Sequence, residues 1–212
     1  MIDLAGRRLY LCTPDREDLA HFLTSCVRGG VDVVQLRDKA LEAKDLIARA
    51  RLAKAVCADL GVPFILNDRP DLALAAGADG VHVGQDDAPP ALARRILGPG
   101  AIVGLSTHSA ADLEAALDEP VDYLSAGPVV ETPTKPGRPG TGAEYPRQAT
   151  ERAPWPVFVT GDVTPARATS LAEIGCRHFV AVRWLTEAAE PEAAARELRR
   201  AIDGAIDRTT GP

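Results

Sequence analysis

Most of the marks of a specialised chain are missing from these 212 residues. No uninterrupted apolar run approaches the roughly 20 residues that a membrane helix needs, so no membrane partner is expected. No Lys/Arg-rich stripe is present, and 30 acidic against 24 basic side chains leave a net charge of -6, which argues against nucleic acid as a partner. Cys12, Cys26, Cys57 and Cys176 are scattered, without CxxC or Cys/His ligand spacing. That excludes a zinc-finger pattern and makes a disulfide framework unexpected at this size, so all four are read as reduced and mostly buried. The start, Met1-Ile2-Asp3-Leu4-Ala5-Gly6-Arg7-Arg8, has no basic segment followed by an apolar one, and a cytoplasmic location is expected. No linker composition and no short-period repeat interrupts the chain, so residues 1–212 are read as one domain.

What is present is ordinary in amount and regular in arrangement. Apolar residues make up 46% and charged residues 25%, typical of a globular protein. Strand-length apolar runs lie near Leu9–Cys12, Val31–Leu36, Phe64–Leu66, Gly80–Val83, Ile102–Leu105, Tyr123–Ala126, Val157–Val159 and Phe179–Val182. Most are continuously apolar and rich in Val and Ile, as strands buried on both faces should be. Between them lie helix-periodic stretches, clearest over Glu42–Leu60, Pro90–Leu97, Ala110–Asp118, Pro165–Ile174 and Pro191–Ile206. Pro165 and Pro191 suit a first helical turn, with Thr164 as N-cap for the former, and Gly30, Gly61, Gly77 and Gly175 suit helix ends. Arg94-Arg95 and Arg199-Arg200 fall on these helices and are expected to face solvent. This alternation predicts an α/β fold, a single (β/α)8 TIM barrel, which usually needs about 200 residues or more. A doubly wound sheet is the alternative, weakened because no GxGxxG follows the first strand.

Each predicted strand ends in polar residues, and parallel strands would bring those ends to one mouth. Asp68 and Asp87 follow consecutive strands, with Asp86 competing at the second turn, and two such carboxylates suit one Mg2+ that shares a substrate phosphate. The bland reading of Asp68 is a cap for the short helix after it. Arg37 and Lys39 alternate after the second strand and Lys135 sits in a loop over Val129–Tyr145, a length at which loops usually carry function. Such cations can clamp a diphosphate and stabilise a departing oxygen; the competing reading for Arg37 is a surface ion pair with Asp38 or Glu42. Ser106, Thr132 and Thr134 offer hydroxyls. A Ser106-His108 nucleophile lacks a G-x-S-x-G elbow and is set aside, and His82 is read as a satisfied core histidine.

The ordered set Val34-Gln35-Leu36-Arg37-Asp38-Lys39, Leu66-Asn67-Asp68, Gly80-Val81-His82-Val83-Gly84-Gln85-Asp86-Asp87, Gly104-Leu105-Ser106 and Thr132-Pro133-Thr134-Lys135-Pro136-Gly137 resembles the thiamine-phosphate synthase family over the first two-thirds of the chain. The resemblance implies a (β/α)8 barrel that joins two small molecules: 4-amino-2-methyl-5-hydroxymethylpyrimidine diphosphate and 4-methyl-5-(2-hydroxyethyl)thiazole phosphate. It implies loss of pyrophosphate first, then capture of the pyrimidinylmethyl cation by the thiazole nitrogen to give thiamine phosphate. Carried over motif by motif, it puts one Mg2+ on Asp68 and Asp87, and the diphosphate on Arg37, Lys39 and Lys135. Gln35 and Asn67 would meet pyrimidine or diphosphate, Ser106 would help stabilise the ionising pyrimidine, and Thr132 and Thr134 would meet the thiazole phosphate. After the seventh and eighth strands the family pattern has paired glycines and an Ile-Ser pair around that phosphate. Here Gly161 is followed by Asp162, whose charge should repel phosphate unless its side chain points outward and only its N–H meets the ligand, and Val182-Arg183 replaces the other pair, with Arg183 able to add a charge-assisted contact. The alternatives are a thiazole tautomerase-like barrel and a non-catalytic thiamine-phosphate-binding barrel; a homo-oligomer is compatible with all three.

Overall fold

The computed structural model describes residues 2–132 and 139–210. Eight parallel strands close on themselves in sequence order: β1 (Leu9–Thr13), β2 (Val33–Leu36), β3 (Phe64–Asn67), β4 (Gly80–Val83), β5 (Ile102–Thr107), β6 (Tyr123–Ala126), β7 (Val157–Val159) and β8 (His178–Ala181), with β8 pairing back to β1. The helices are α1 (Leu19–Arg28), α2 (Ala43–Asp59), α3 (Pro70–Ala76), α4 (Pro90–Leu97), α5 (Ala110–Ala116), α6 (Glu144–Arg152), α7 (Pro165–Glu173), the short α8 (Arg183–Thr186) and α9 (Pro191–Thr210). The expected (β/α)8 barrel is the fold. Pro165 and Pro191 open α7 and α9, and the Thr164 hydroxyl accepts from the Arg167 amide at 3.3 Å as an N-cap. The region expected to be loop up to Tyr145 is shorter, because α6 begins at Glu144 and buries Tyr145.

Side-chain alternation along the strands divides the apolar residues into two cores. Residues such as Leu9, Leu11, Val34, Leu36, Leu66, Val81 and Leu124 face outward and pack under the helices. The others, among them Tyr10, Val33, Ile65, Ile102, Tyr123, Phe158 and Val180, fill the inside, joined by Leu4 from the segment before β1. Period-two alternation on strands with both faces buried explains why the sequence reads as continuous apolar runs.

Charges at the strand starts serve the fold. Asp32, Asp79 and Asp122 each precede an even-numbered strand, and each accepts from a backbone N–H in the first two residues of the strand before it: Leu9 at 3.0 Å, Phe64 at 2.8 Å and Val103 at 2.7 Å. Each is matched by a cation from a surrounding helix: Arg199 at 3.0 Å, Lys54 at 2.6 Å and Arg94 at 2.6 Å. Arg94 and Arg199, expected to face solvent with their neighbours, instead reach under the barrel. An aspartate that takes up a strand's unpaired N–H needs a counter-charge when partly buried, and a long helical arginine supplies it.

His178 starts β8 and its Nδ1–H donates to the Arg7 carbonyl at 2.5 Å. Desolvation holds its pKa below the ordinary 6.5, against the pull of that carbonyl. Between the two values the unfolded chain takes up a proton that the folded chain refuses, so stability is lost as pH falls below 6.5. Thermal midpoints should drop as pH is lowered from about 7 to about 5, and His178→Gln should flatten that slope. An unchanged slope in the variant would remove His178 as its source.

Candidate active site

At the C-terminal end of the barrel the inward-facing positions turn polar. Gln35 and Asn67 stand one alternation above Val33 and Ile65, and Ser106 two residues above Gly104. All three are buried, together with His82 and Ser125. They line one cavity of about 270 Å³ with Arg37, Lys39, Asp68 and Asp87. The Ser106 carbonyl is pinned by Gln85, whose Nε2 donates to it at 2.7 Å. Of the residues expected at the site, Gln35, Arg37, Lys39, Asn67, Asp68, Asp87 and Ser106 therefore share one chamber.

Asp68 does not cap α3: Arg69 is at the N-cap position and makes no side-chain cap bond. Asp68 instead adopts a left-handed backbone, φ 63°, and its carboxylate reaches Lys39 Nζ at 2.9 Å. Burial pushes its pKa up, Lys39 opposes this, and the neighbouring Asp87 carboxyl pushes it up further. Asp87 is itself aimed by the Gly84 amide, which donates to its Oδ2 at 2.8 Å. Two carboxylates crowded together with one ammonium would be relieved by a cation between them. Among the described residues no group of three or more His, Cys, Asp or Glu gathers as a metal cage. A donor set of two carboxylates with Arg37 and Lys39 on the same cavity suits Mg2+, an ion that usually keeps water and phosphate oxygens as its other ligands. The ion pairs proposed for Arg37 with Asp38 or Glu42 do not form among the described residues; Asp38 turns to the backbone of Asp15, Ala40 and Leu41.

A second, smaller pocket opens beside the first, at the ends of β7 and β8. Thr132, Gly161, Asp162, Val182 and Arg183 line it. Gly161 is required: its φ is +117°, and a Cβ there would lie 2.2 Å from the Val129 amide nitrogen. Asp162 takes the left-handed conformation too, at φ 53°. Aspartate tolerates this region better than most side chains, which is how it can follow Gly161 where the resemblance has a second glycine. Its carboxylate bridges Arg183 and Arg167, with Oδ1 and Oδ2 each 2.6 Å from a guanidinium nitrogen. The expected repulsion is therefore offset on both sides, and the trio carries one net positive charge. Thr134 and Lys135 lie outside the described residues.

Sequence reasoning missed Tyr10, Cys12, Tyr123 and Thr160, all of which line the first cavity; His82 is the buried, hydrogen-bonded histidine expected, and it also stands at the cavity wall. The signal was there in part: a Tyr or His inside an apolar strand, at the parity of Gln35 and Ser106, points into the barrel. The histidine next to Ser106 is His82, Nε2 to Oγ 2.9 Å, while His108 turns to the Gly127 carbonyl. His82 Nδ1 faces the Tyr123 hydroxyl at 2.9 Å, the place that a carboxylate takes in an acid–histidine–serine triad.

Known proteins resemble the chain in sequence and in fold. The family profile described as Thiamine monophosphate synthase matches residues 9–185. The thiamine-phosphate synthase of Thermobifida fusca is 46% identical over 205 residues, covering 94% of this chain and 94% of the relative. That of Thermus thermophilus is 48% identical over 179 residues, covering 83% and 85%. Among solved structures, the thiamine phosphate pyrophosphorylase from Pyrococcus furiosus superimposes with a TM-score of 0.86 at 26% identity, covering 94% of this chain and 96% of that one.

The bridged carboxylate makes a prediction of its own. Asp162→Asn keeps a side chain that tolerates the left-handed backbone and removes the negative charge between two arginines. Inorganic phosphate, titrated calorimetrically at low salt, should bind the variant several-fold tighter, with the gain lost in the Asp162→Asn/Arg183→Ala double variant and reduced at high salt. Equal affinity in wild type and Asp162→Asn would show that the carboxylate does not screen this mouth.

Proposed function

The chain belongs to the thiamine monophosphate synthase family, an enzyme family, and on that premise we propose that it joins 4-amino-2-methyl-5-hydroxymethylpyrimidine diphosphate to 4-methyl-5-(2-hydroxyethyl)thiazole phosphate. The products are thiamine phosphate and pyrophosphate. The observation that carries this reading is the meeting of Lys39, Asp68, Asp87, Arg37 and Ser106 around one cavity, with a second positively charged pocket alongside. One chamber suits a diphosphate with its cation, and the other suits a monophosphate.

The residues divide the reaction between binding and ionisation. Gln35 and Asn67, buried in the wall, present amides to the flat pyrimidine. Arg37 and Lys39, with Lys135, hold the diphosphate and favour the charge that grows on it as the C–O bond breaks. Asp68 and Asp87 would hold one Mg2+, which when bound supplies charge neutralisation on the diphosphate oxygens. Ser106 stands beside the bond that ionises. Gly161, Val182 and Arg183, with Thr132 and Thr134, seat the thiazole phosphate so that its ring nitrogen faces the electron-poor methylene carbon. A dissociative course needs no protein nucleophile. Holding two reactants in line accounts for much of the acceleration such an enzyme needs.

Purified protein supplied with both phosphorylated precursors and Mg2+ should form thiamine phosphate and pyrophosphate in equal amounts. Absence of product at saturating metal would sink the reading. Asp87→Ala should lower turnover by about a hundredfold or more. Turnover equal to wild type would take Asp87 out of the site.

A further inference from the structure

Beneath Ser106 a row of buried hydrogen bonds crosses the barrel, and of its members only Gln35 and Ser106 have a role above. Cys12 Sγ donates to Gln35 Oε1 at 3.0 Å, and Gln35 Nε2 donates to the Tyr10 hydroxyl at 3.0 Å. The Tyr10 and Tyr123 hydroxyls are 2.9 Å apart. Tyr123 is 2.9 Å from His82 Nδ1, and His82 Nε2 is 2.9 Å from Ser106 Oγ. Ser125 Oγ donates to Ser106 Oγ at 3.3 Å. Both phenols are sealed in, with 2% and 1% of their surfaces exposed. Burial pushes their pKa values well above the ordinary range, so each keeps its proton.

Donor–acceptor pairing sets the direction of the row. The Gln35 nitrogen can only donate, so the Tyr10 oxygen accepts. With Tyr10 donating to Tyr123 and Tyr123 to Nδ1, the imidazole carries its proton on Nε2 and gives it to Ser106. Each phenol then accepts once and donates once. In the opposite order the Tyr10 oxygen would take two protons, and its own O–H would meet no acceptor among the described residues. A buried donor without a partner costs more than a made bond returns, so the first order prevails. It leaves Ser106 Oγ accepting from His82 and Ser125, with its own proton directed to the cavity.

We propose that Tyr123 fixes His82 in the Nε2–H tautomer, and that His82, so held, is a positioning residue that makes the Ser106 hydroxyl a hydrogen-bond donor to the bound ligand. For the identity of that ligand the inference rests on the function proposed above. Under that reading the acceptor that gains charge is the departing diphosphate oxygen, which a pre-aimed donor stabilises. Ser106 then serves the leaving group rather than the ionising pyrimidine. Successive hydrogen bonds polarise one another, so the row also strengthens its last donor. Gly104 is a condition of the device: a Cβ there would lie 2.1 Å from Tyr123 Cζ and 2.5 Å from its hydroxyl.

The test combines a spectroscopic readout with turnover. In protein labelled with 15N at its histidines, the His82 signals, assigned by their loss in His82→Gln, should show a protonated Nε2 and a bare Nδ1. Tyr123→Phe keeps the ring and removes the hydroxyl; it should shift His82 toward a tautomer mixture and lower kcat by about tenfold, while KM for both substrates holds. His82→Gln returns an N–H near the Nε2 position and should recover most of the turnover that His82→Asn, which reaches only the Nδ1 position, loses. A wild type protonated on Nδ1 would overturn the proposal, as would Tyr123→Phe with unchanged tautomer and kcat. Should wild type release no pyrophosphate, the functional reading fails, and the nitrogen signals still uphold or overturn the tautomer.

Discussion

A parallel strand in a closed barrel has no freedom over where its side chains go: alternate residues face the interior and the others face the helices. The rest of this structure depends on that alternation. Low in the barrel the inward positions are Val33, Ile65, Ile102, Phe158 and Val180, which fill the interior with apolar volume. Higher on the same strands Gln35, Asn67, Ser106 and Thr160 face the cavity, Ser106 two steps above Ile102 and the others one step above their apolar neighbours. A shift of one residue in any strand would exchange its polar set for leucine or valine and turn the site inside out. The apolar lower layer therefore sets the phase in which the chemistry stands.

Charge at the mouth is arranged so that neither sign is buried alone. Asp68 and Asp162 are the two non-glycine residues with positive φ among the described residues, and both sit just past a strand end. A left-handed backbone costs an ordinary side chain roughly 1–2 kcal/mol. Each aspartate is held there by cations, Lys39 in one case and Arg167 with Arg183 in the other. Strain of this kind persists where the surroundings over-determine it, and here both aspartates line a pocket at the barrel mouth. The two chambers differ in kind: paired carboxylates with an ammonium at one, a bridged carboxylate with a surplus guanidinium at the other.

Much of this was legible in the sequence because strand ends interrupt apolar runs with residues that have no business in a core. Gln35, Arg37, Lys39, Asn67, Asp68, Asp87 and Ser106 declare themselves in that way, and the barrel follows from the strand–helix alternation. Tyr10, Tyr123 and His82 do not, because each lies within an apolar run and fits it by bulk; only the parity of the strand shows which of them face inward. Arg94 and Arg199 looked like solvated helix charges, since the aspartates they serve are distant in sequence and become neighbours only when the barrel closes. The start of α6 was hidden by the Pro, Gly and Thr content just before it. Asp162 was visible as a departure from the family pattern, but the sign of its effect was not, because the arginines that neutralise it come from α7 and from the start of α8. Lys135 and Thr134 lie outside the described residues.

The central claim is that two anion chambers, built on the ends of different strands, hold the two phosphorylated groups separately. A crystal structure of the protein with Mg2+, pyrophosphate and thiamine phosphate tests it most directly. The account predicts pyrophosphate against Arg37 and Lys39 with the metal between Asp68 and Asp87, and the phosphate of thiamine phosphate at Gly161, Val182 and Arg183. Both anions in one chamber, or a metal bound away from the two aspartates, would contradict it.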